Sequence, residues 1–461
     1  MSDATNTTQG KRLNPVILND ILDRRAHALG VRQWDLGASY STDSLVQVDH
    51  GEAKQLQAAQ RSGVTVRAWN AKGLAGVTST TDISEVGLNR ALEGAHIASA
   101  FGNPVDTPSF SPLASASLPS FERPLRSPSK IQTLLQKLRE AEADLLGRHT
   151  AINTVPYNGL AESRSEKLYL NSEGAVRWIE RSQASLYLYA RAEQPGRKPR
   201  SSGAIRLGYG SEDIDIDSCV DEAARRTISH LDYQPILTGS YTVCFAPEAF
   251  LDLIGAFSSI FNARAILDGV SLSTTESLGT EIAIPFFSLH DDSLHAGHVG
   301  ALPFDGEGTP SRRIVLINSG RLENILHSEA TARHFGVPPT GHATLGAKVS
   351  VRPGWFEISR DHSAPTRAAL NHKNCQDKFV LIENLGALHA GVKASQGSFS
   401  LPFDGWLVCN GESVSIEAAT VAGDIRQVLK SLLHLEDEIE ITHQGAAPHV
   451  WVESLSITGE A

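Results

Sequence analysis

The densest run of metal-capable side chains is His290-Asp291-Asp292-Ser293-Leu294-His295-Ala296-Gly297-His298. A zinc site needs three or four N, O or S donors within tetrahedral reach. Gly297 marks this run as a loop and not a rigid helical face, so the competing expectation is a solvated loop. A second run, Asp305, Glu307, Arg312 and Arg313, lies in a stretch bounded by Gly and Pro. These side chains could line a peptide groove, with an arginine fork taking a substrate carboxylate. The competing expectation is a surface ion-pair cluster beside the strand-like Ile314-Val315-Leu316-Ile317, since charge runs are usually solvated faces. His342, in Pro339-Thr340-Gly341-His342, is a further groove candidate. To act as a base it needs a partner group within hydrogen-bond reach. Glu248 and Asp252 share a helical face at their spacing of four, but no histidine accompanies them and solvation is expected.

Other chemistries find no support. No GxSxG elbow, Walker A loop, HExxH or GxGxxG motif occurs. Gly306-Glu307-Gly308 is too short for a phosphate loop, so no nucleotide or flavin cofactor is expected. A net charge of −11 disfavours non-specific nucleic-acid binding, which needs a basic surface. No apolar run is long enough to span a membrane. The N-terminal MSDATNTTQGKRLNP has no apolar core for a signal peptide. Cys219, Cys244, Cys375 and Cys409 are far apart, which argues against a disulfide framework or zinc ribbon. The expectation is a cytoplasmic protein with reduced, buried thiols.

The elements that position these residues read as an α+β N-terminal domain followed by a β-rich, barrel-like C-terminal domain. The predicted division is a disordered tail over 1–14, the α+β domain over 15–102 and 129–234, a connector over 103–128, and the β-rich domain over 235–461. Pro15–Leu29 has helical spacing, with Ile17, Ile21, Leu22 and Ala26 on one side. Trp34–Val48, Gly63–Trp69 and Leu74–Ser79 read as strands. Asp82 is a candidate cap for a helix starting near Ser84, with Glu85 as its capping-box partner. Pro and Ser dominate the connector, which should be exposed. Ser129–Leu146 and Asp215–Leu231 read as helices around a β-like stretch, 151–194, with a turn at Asn171-Ser172-Glu173-Gly174.

In the second half, Phe250–Ala265 is the main helical candidate. Asn410-Gly411, between Trp406-Leu407-Val408 and Ser413-Val414-Ser415-Ile416, predicts a type I′ hairpin. After Gly423, Asp424 can cap a helix carrying Ile425, Val428, Leu429, Leu432 and Leu433 on one face. His449–Ile457 alternates as a strand should.

The order of these segments resembles the TldD/PmbA family of metalloprotease subunits, and more closely its TldE (PmbA) branch, over roughly residues 15–459. The matching pieces are Gly63-Val64-Thr65-Val66-Arg67 with Gly76, Asn171–Gly174, Phe245-Ala246-Pro247-Glu248-Ala249, Phe304-Asp305-Gly306-Glu307-Gly308-Thr309, Thr340-Gly341-His342-Ala343 and the glycine-rich block Gly386–Gly423. The resemblance implies a β-rich domain closing around a groove. It also implies that TldD-type subunits carry zinc on an HExxxH helix after the Ala246-Pro247-Glu248-Ala249 segment. Here those positions fall on Gly255, Ala256 and Ile260, and Gln444–His449 stands where such subunits add a cysteine. The resemblance therefore implies no metal and no catalytic residue in this chain, which would be inactive by itself. Zinc is expected in a TldD-type partner, as a heterodimer acting on peptides or unfolded proteins. The alternative is a self-associating, homodimeric peptide-binding or chaperone-like protein. Asp305, Glu307, Arg312, Arg313 and His342 are the groove candidates.

Overall fold

The computed structural model describes residues 12–103, 107, 109–345, 349–365 and 369–459. Most of the expected tail and parts of the connector lie outside them. Pro15–Leu29 forms helix α1, because Asn14 caps the amides of Val16 and Ile17 and Pro15 has no N–H to satisfy. Ile17 is exposed, and Leu18 takes its place in the core. The strands Gln33–Asp49 (β1) and Glu52–Trp69 (β2) form one long hairpin, turning at His50 and Gly51 with positive φ at both. The second strand thus begins eleven residues before Gly63. Its first half is polar and exposed, and pairing with β1 makes it a strand. Ala75–Thr80 is β3. Glu85–Ala98 is α2, and its cap is Ser84, which accepts from Gly87 N–H. Asp82, expected to cap it, accepts instead from the Ser84 amide just outside the helix.

Ile131–Gly147 (α3), Ile152–Asn171 (β4), Val176–Ala192 (β5), Arg200–Gly208 (β6) and Ile216–Ser229 (α4) repeat the pattern. Both units join one antiparallel sheet of order β3-β2-β1-β4-β5-β6. The helix pairs cover it with two clusters. One combines Leu22 and Leu92 with Val66 and Leu170, the other Leu138 and Val220 with Leu160 and Leu186. The connector is not simply exposed. Ser111 and Ala114 are buried, and Phe110 packs edge-on against Trp69.

The C-terminal half contains Gly239–Phe245 (β7), helix Pro247–Ala256 (α5), Phe287–Asp292 (β8), Arg313–Asn318 (β9), Phe356–Arg360 (β10), Phe379–Leu385 (β11), Ser398–Cys409 (β12), Glu412–Ile416 (β13), Ala419–Asp424 (β14), helix Ile425–Lys430 (α6), Leu432–Ile441 (β15) and Gly445–Gly459 (β16). Strands β7, β11, β12, β14 and β16 pair in a closed ring, with only β7–β11 parallel. Closure leaves no free edge. Phe250, Leu253 and Ile254 of α5 enter the same core as Val243, Leu401, Val421 and Val450 of the ring. The fold is α+β with a barrel-like C-terminal domain, as expected.

Three local expectations are corrected here. The helix at Phe250–Ala265 starts earlier and breaks after Ala256 into a tight turn, Ser258–Phe261, and a short helix, Ala263–Leu267. Asp424 does cap α6 through Arg426 N–H, but the helix stops at Lys430. Leu432 and Leu433 belong to β15, where pairing with β16 supersedes helical spacing. Cys219 and Cys244 are buried, whereas Cys375 is half-buried and Cys409, beside the hairpin turn, is exposed.

Candidate functional site

The N-terminal sheet meets the C-terminal loops around a buried ion cluster. Arg67 on β2 donates through Nε to Asp35 on β1 at 2.9 Å and through Nη1 to Glu307 at 3.1 Å. Burial pulls the guanidinium pKa down, but Asp35 and Glu307 outweigh it and hold it above its ordinary value. Gly308 follows with positive φ, and the Tyr169 ring lies where its side chain would stand. Only glycine lets the loop lie this close to β4.

Beside this cluster lies a cavity of about 960 Å³, walled by β1, β2 and β4 on one side and by residues 302–306 and 341–345 on the other. Asp305 and His342 line it. Asp305 accepts from the amides of Glu307, Thr309 and Ala343, each at 2.9 Å. Loss of water around its carboxyl, then Glu307, nevertheless pushes its pKa up to about 7. Lys167 also lines the cavity, and burial followed by Arg181 lowers its pKa to about 8. His342 Nε2 meets Asp291 Oδ1 at 3.0 Å and Ser293 Oγ at 3.3 Å, while Nδ1 faces Thr340 Oγ1 at 3.0 Å. A Ser-His-Asp relay needs serine and carboxylate on opposite ring nitrogens. Here both share one nitrogen, and Thr340 Oγ1 on the other donates to the His327 carbonyl at 3.1 Å, so the group ties these loops together. The other three groove candidates lie off the cavity wall. Glu307 is buried against Arg67, Arg312 donates to the Pro339 carbonyl at 3.0 Å, and Arg313 pairs with Glu357 at 2.9 Å.

The His290–His298 run does not gather its imidazoles. His295 and His298 stack on Trp355, at 4.2 and 6.1 Å between ring centroids, and His290 sits on β8. Burial lowers the pKa of both His290 and His298. Glu248 and Asp252 are half-buried and not simply solvated. Glu248 holds Arg226 at 3.3 Å, and burial raises the Asp252 carboxyl.

Where the resemblance places an HExxxH helix, Gly255 and Ala256 close α5, and Ile260 is buried in the turn beyond it. These side chains offer no lone pair. A shallow cavity of about 430 Å³ adjoins them, and among its lining residues only Asp252 and His389 are metal-capable. Two donors fall short of the three or four zinc needs, so the residues present do not fit that ion.

Two groups escaped sequence reasoning. Lys167 alternates with Tyr169 on β4, and assigning that face to the domain boundary would have exposed it. His372, Glu436 and His449 converge at a second cavity, yet are too scattered along the chain for any spacing signal.

Comparison with known proteins agrees with this architecture. Residues 238–459 match the PmbA/TldA metallopeptidase C-terminal domain and residues 125–231 its central domain. The chain is 24% identical over 441 residues to Metalloprotease PmbA of Escherichia coli O157:H7, covering 92% of each protein. It is 26% identical over 343 residues to a metalloprotease of Methanothermobacter thermautotrophicus, covering 71% of this chain and 70% of that one. The crystal structure of TldE from Thermococcus kodakarensis superposes with a TM-score of 0.78 at 18% identity, over 96% of this chain and 100% of the other. The domain matches and the near full-length relatives agree, and the chain belongs to the PmbA/TldD metallopeptidase family.

Proposed function

We propose that this chain is the accessory, PmbA/TldE-type subunit of a cytoplasmic metallopeptidase complex. A TldD-type partner would supply the zinc, its activated water and the general base. This reading is supported by Gly255 and Ala256 at the end of α5 and Ile260 in the turn beyond, which offer no metal donor where the resemblance places the ligands and base of an HExxxH helix. The cavity of about 960 Å³ beside Asp305 and His342 is large enough for a few residues of extended peptide. In this reading the chain shapes the path of an unfolded substrate and the partner cuts it. The test is to purify the chain alone and together with a TldD-type subunit, then follow zinc-dependent cleavage of an unfolded protein. Cleavage is expected only from the pair. Robust zinc-dependent cleavage by this chain alone overturns the proposal. Peptide binding by a stable homodimer that leaves the TldD-type subunit unaffected would move the reading to a binding protein.

A further inference from the structure

We propose that His372, Glu436 and His449 form a binding site for a divalent transition-metal ion of the zinc class, separate from the family's HExxxH position. One ligand atom from each lies within 4.8 Å of the other two. Donors around zinc at about 2.0–2.2 Å stand roughly 3.3–3.6 Å apart, so an ion draws the three donors together and re-aims an imidazole. Two imidazoles and one carboxylate match the donor chemistry of borderline divalent ions.

The fold builds this convergence. Strands β15 and β16 pair antiparallel, but their register slips between Leu435 and Ile439. A bulge re-aims the side chains it carries, and Glu436 sits inside this one, beside His449 on β16. His372 comes from the loop before β11. The carboxylate is oriented from outside. Its Oε1 accepts from the His372 amide at 2.7 Å and from Trp451 Nε1–H at 2.9 Å. That leaves Oε2 against His372 Nδ1 at 2.9 Å. Such outer donors fix a ligating carboxylate in metal sites. The two imidazoles stack with centroids 3.8 Å apart and planes 15° from parallel, so taking up an ion requires one ring to turn until both in-plane lone pairs converge on it. Glu440 Oε1 lies 3.8 Å from His449 Nδ1, available as a further oxygen. Glu436 and His449 are buried, while His372, His449 and Glu440 line a cavity of about 590 Å³ that gives an ion its entry path.

The test titrates zinc chloride into the full-length chain after chelator treatment, by calorimetry and by elemental analysis after dialysis. One equivalent is expected, with X-ray absorption reporting two imidazole ligands. His372→Ala, His449→Ala and Glu436→Gln should each weaken binding by about tenfold or more. The His295→Ala/His298→Ala double variant should bind as the parent does, and circular dichroism checks that each variant is folded. Absence of stoichiometric zinc from the unaltered chain overturns the proposal without reference to any variant. So does zinc whose absorption spectrum lacks the imidazole pair, or zinc lost in the His295/His298 variant. None of these readouts involves peptidase activity, so the accessory-subunit reading stands or falls separately.

Discussion

Arg67 and Glu307, 240 residues apart, meet in an ion pair of 3.1 Å with both side chains fully buried. The pair ties β2 of the N-terminal sheet to a loop of the C-terminal domain. Removing one member leaves buried charge uncompensated, which costs roughly 3–5 kcal/mol. Arg67→Ala, which strands both Asp35 and Glu307, should therefore destabilise strongly in urea unfolding. Glu307→Gln should cost less, since Asp35 still partners the guanidinium. Equal effects would show that the interdomain half of the cluster dominates.

His327 supplies a pH dependence. Burial, then His342, pushes its pKa down to about 4, below the ordinary imidazole value of 6.5. Between those values the unfolded chain binds the proton and the folded chain does not. The contribution of this group to stability is thus complete above pH 6.5 and is lost as pH falls towards 4. Parent and His327→Gln should converge in stability across that window, by up to about 3 kcal/mol. Chemical denaturation at pH 7.5, 5.5 and 4.5 measures it; a constant difference would remove His327 as the source.

Lys167 should be unusually reactive. With a pKa lowered to about 8, it is half neutral at pH 8. An ordinary lysine near 10.4 is less than about 1% neutral there. Limited treatment with an amine-acylating reagent at pH 8, followed by peptide mass mapping, should label Lys167 ahead of most exposed lysines. Equal labelling rates would contradict a lowered pKa on the cavity wall.

The hairpin between β12 and β13 turns on Asn410 and Gly411, with φ of 54° and 78°. A Cβ at Gly411 would meet the Gln376 side chain at 3.2 Å, and that chain can swing aside. The cost of Gly411→Ala is then mainly the left-handed backbone, about 1–2 kcal/mol. A thermal melt should show a lower midpoint with the fold intact by circular dichroism.

Where structure depends on neighbours along the chain, it was legible in advance. Apolar spacing announced the helix Pro15–Leu29, Asn410-Gly411 announced its turn, and the alternation at His449–Ile457 announced its strand. Local chemistry is sufficient in each case, because helical spacing, turn conformations and strand alternation involve only nearby residues.

Contacts across the sheet and between domains were decided elsewhere. Residues 52–62 are polar enough to pass for a loop, and become strand only because β1 lies alongside. Leu432 and Leu433 keep helical spacing yet join β15, because that strand pairs with β16 from Leu432 onward. Asp305 and Glu307 look like solvated charges and are held instead in a domain boundary by backbone amides and Arg67. His372, Glu436 and His449 become neighbours only when a register slip and a loop bring them to one point. The ring closure and domain packing that join such distant residues are set by the summed burial of hundreds of side chains, which no short window of sequence contains.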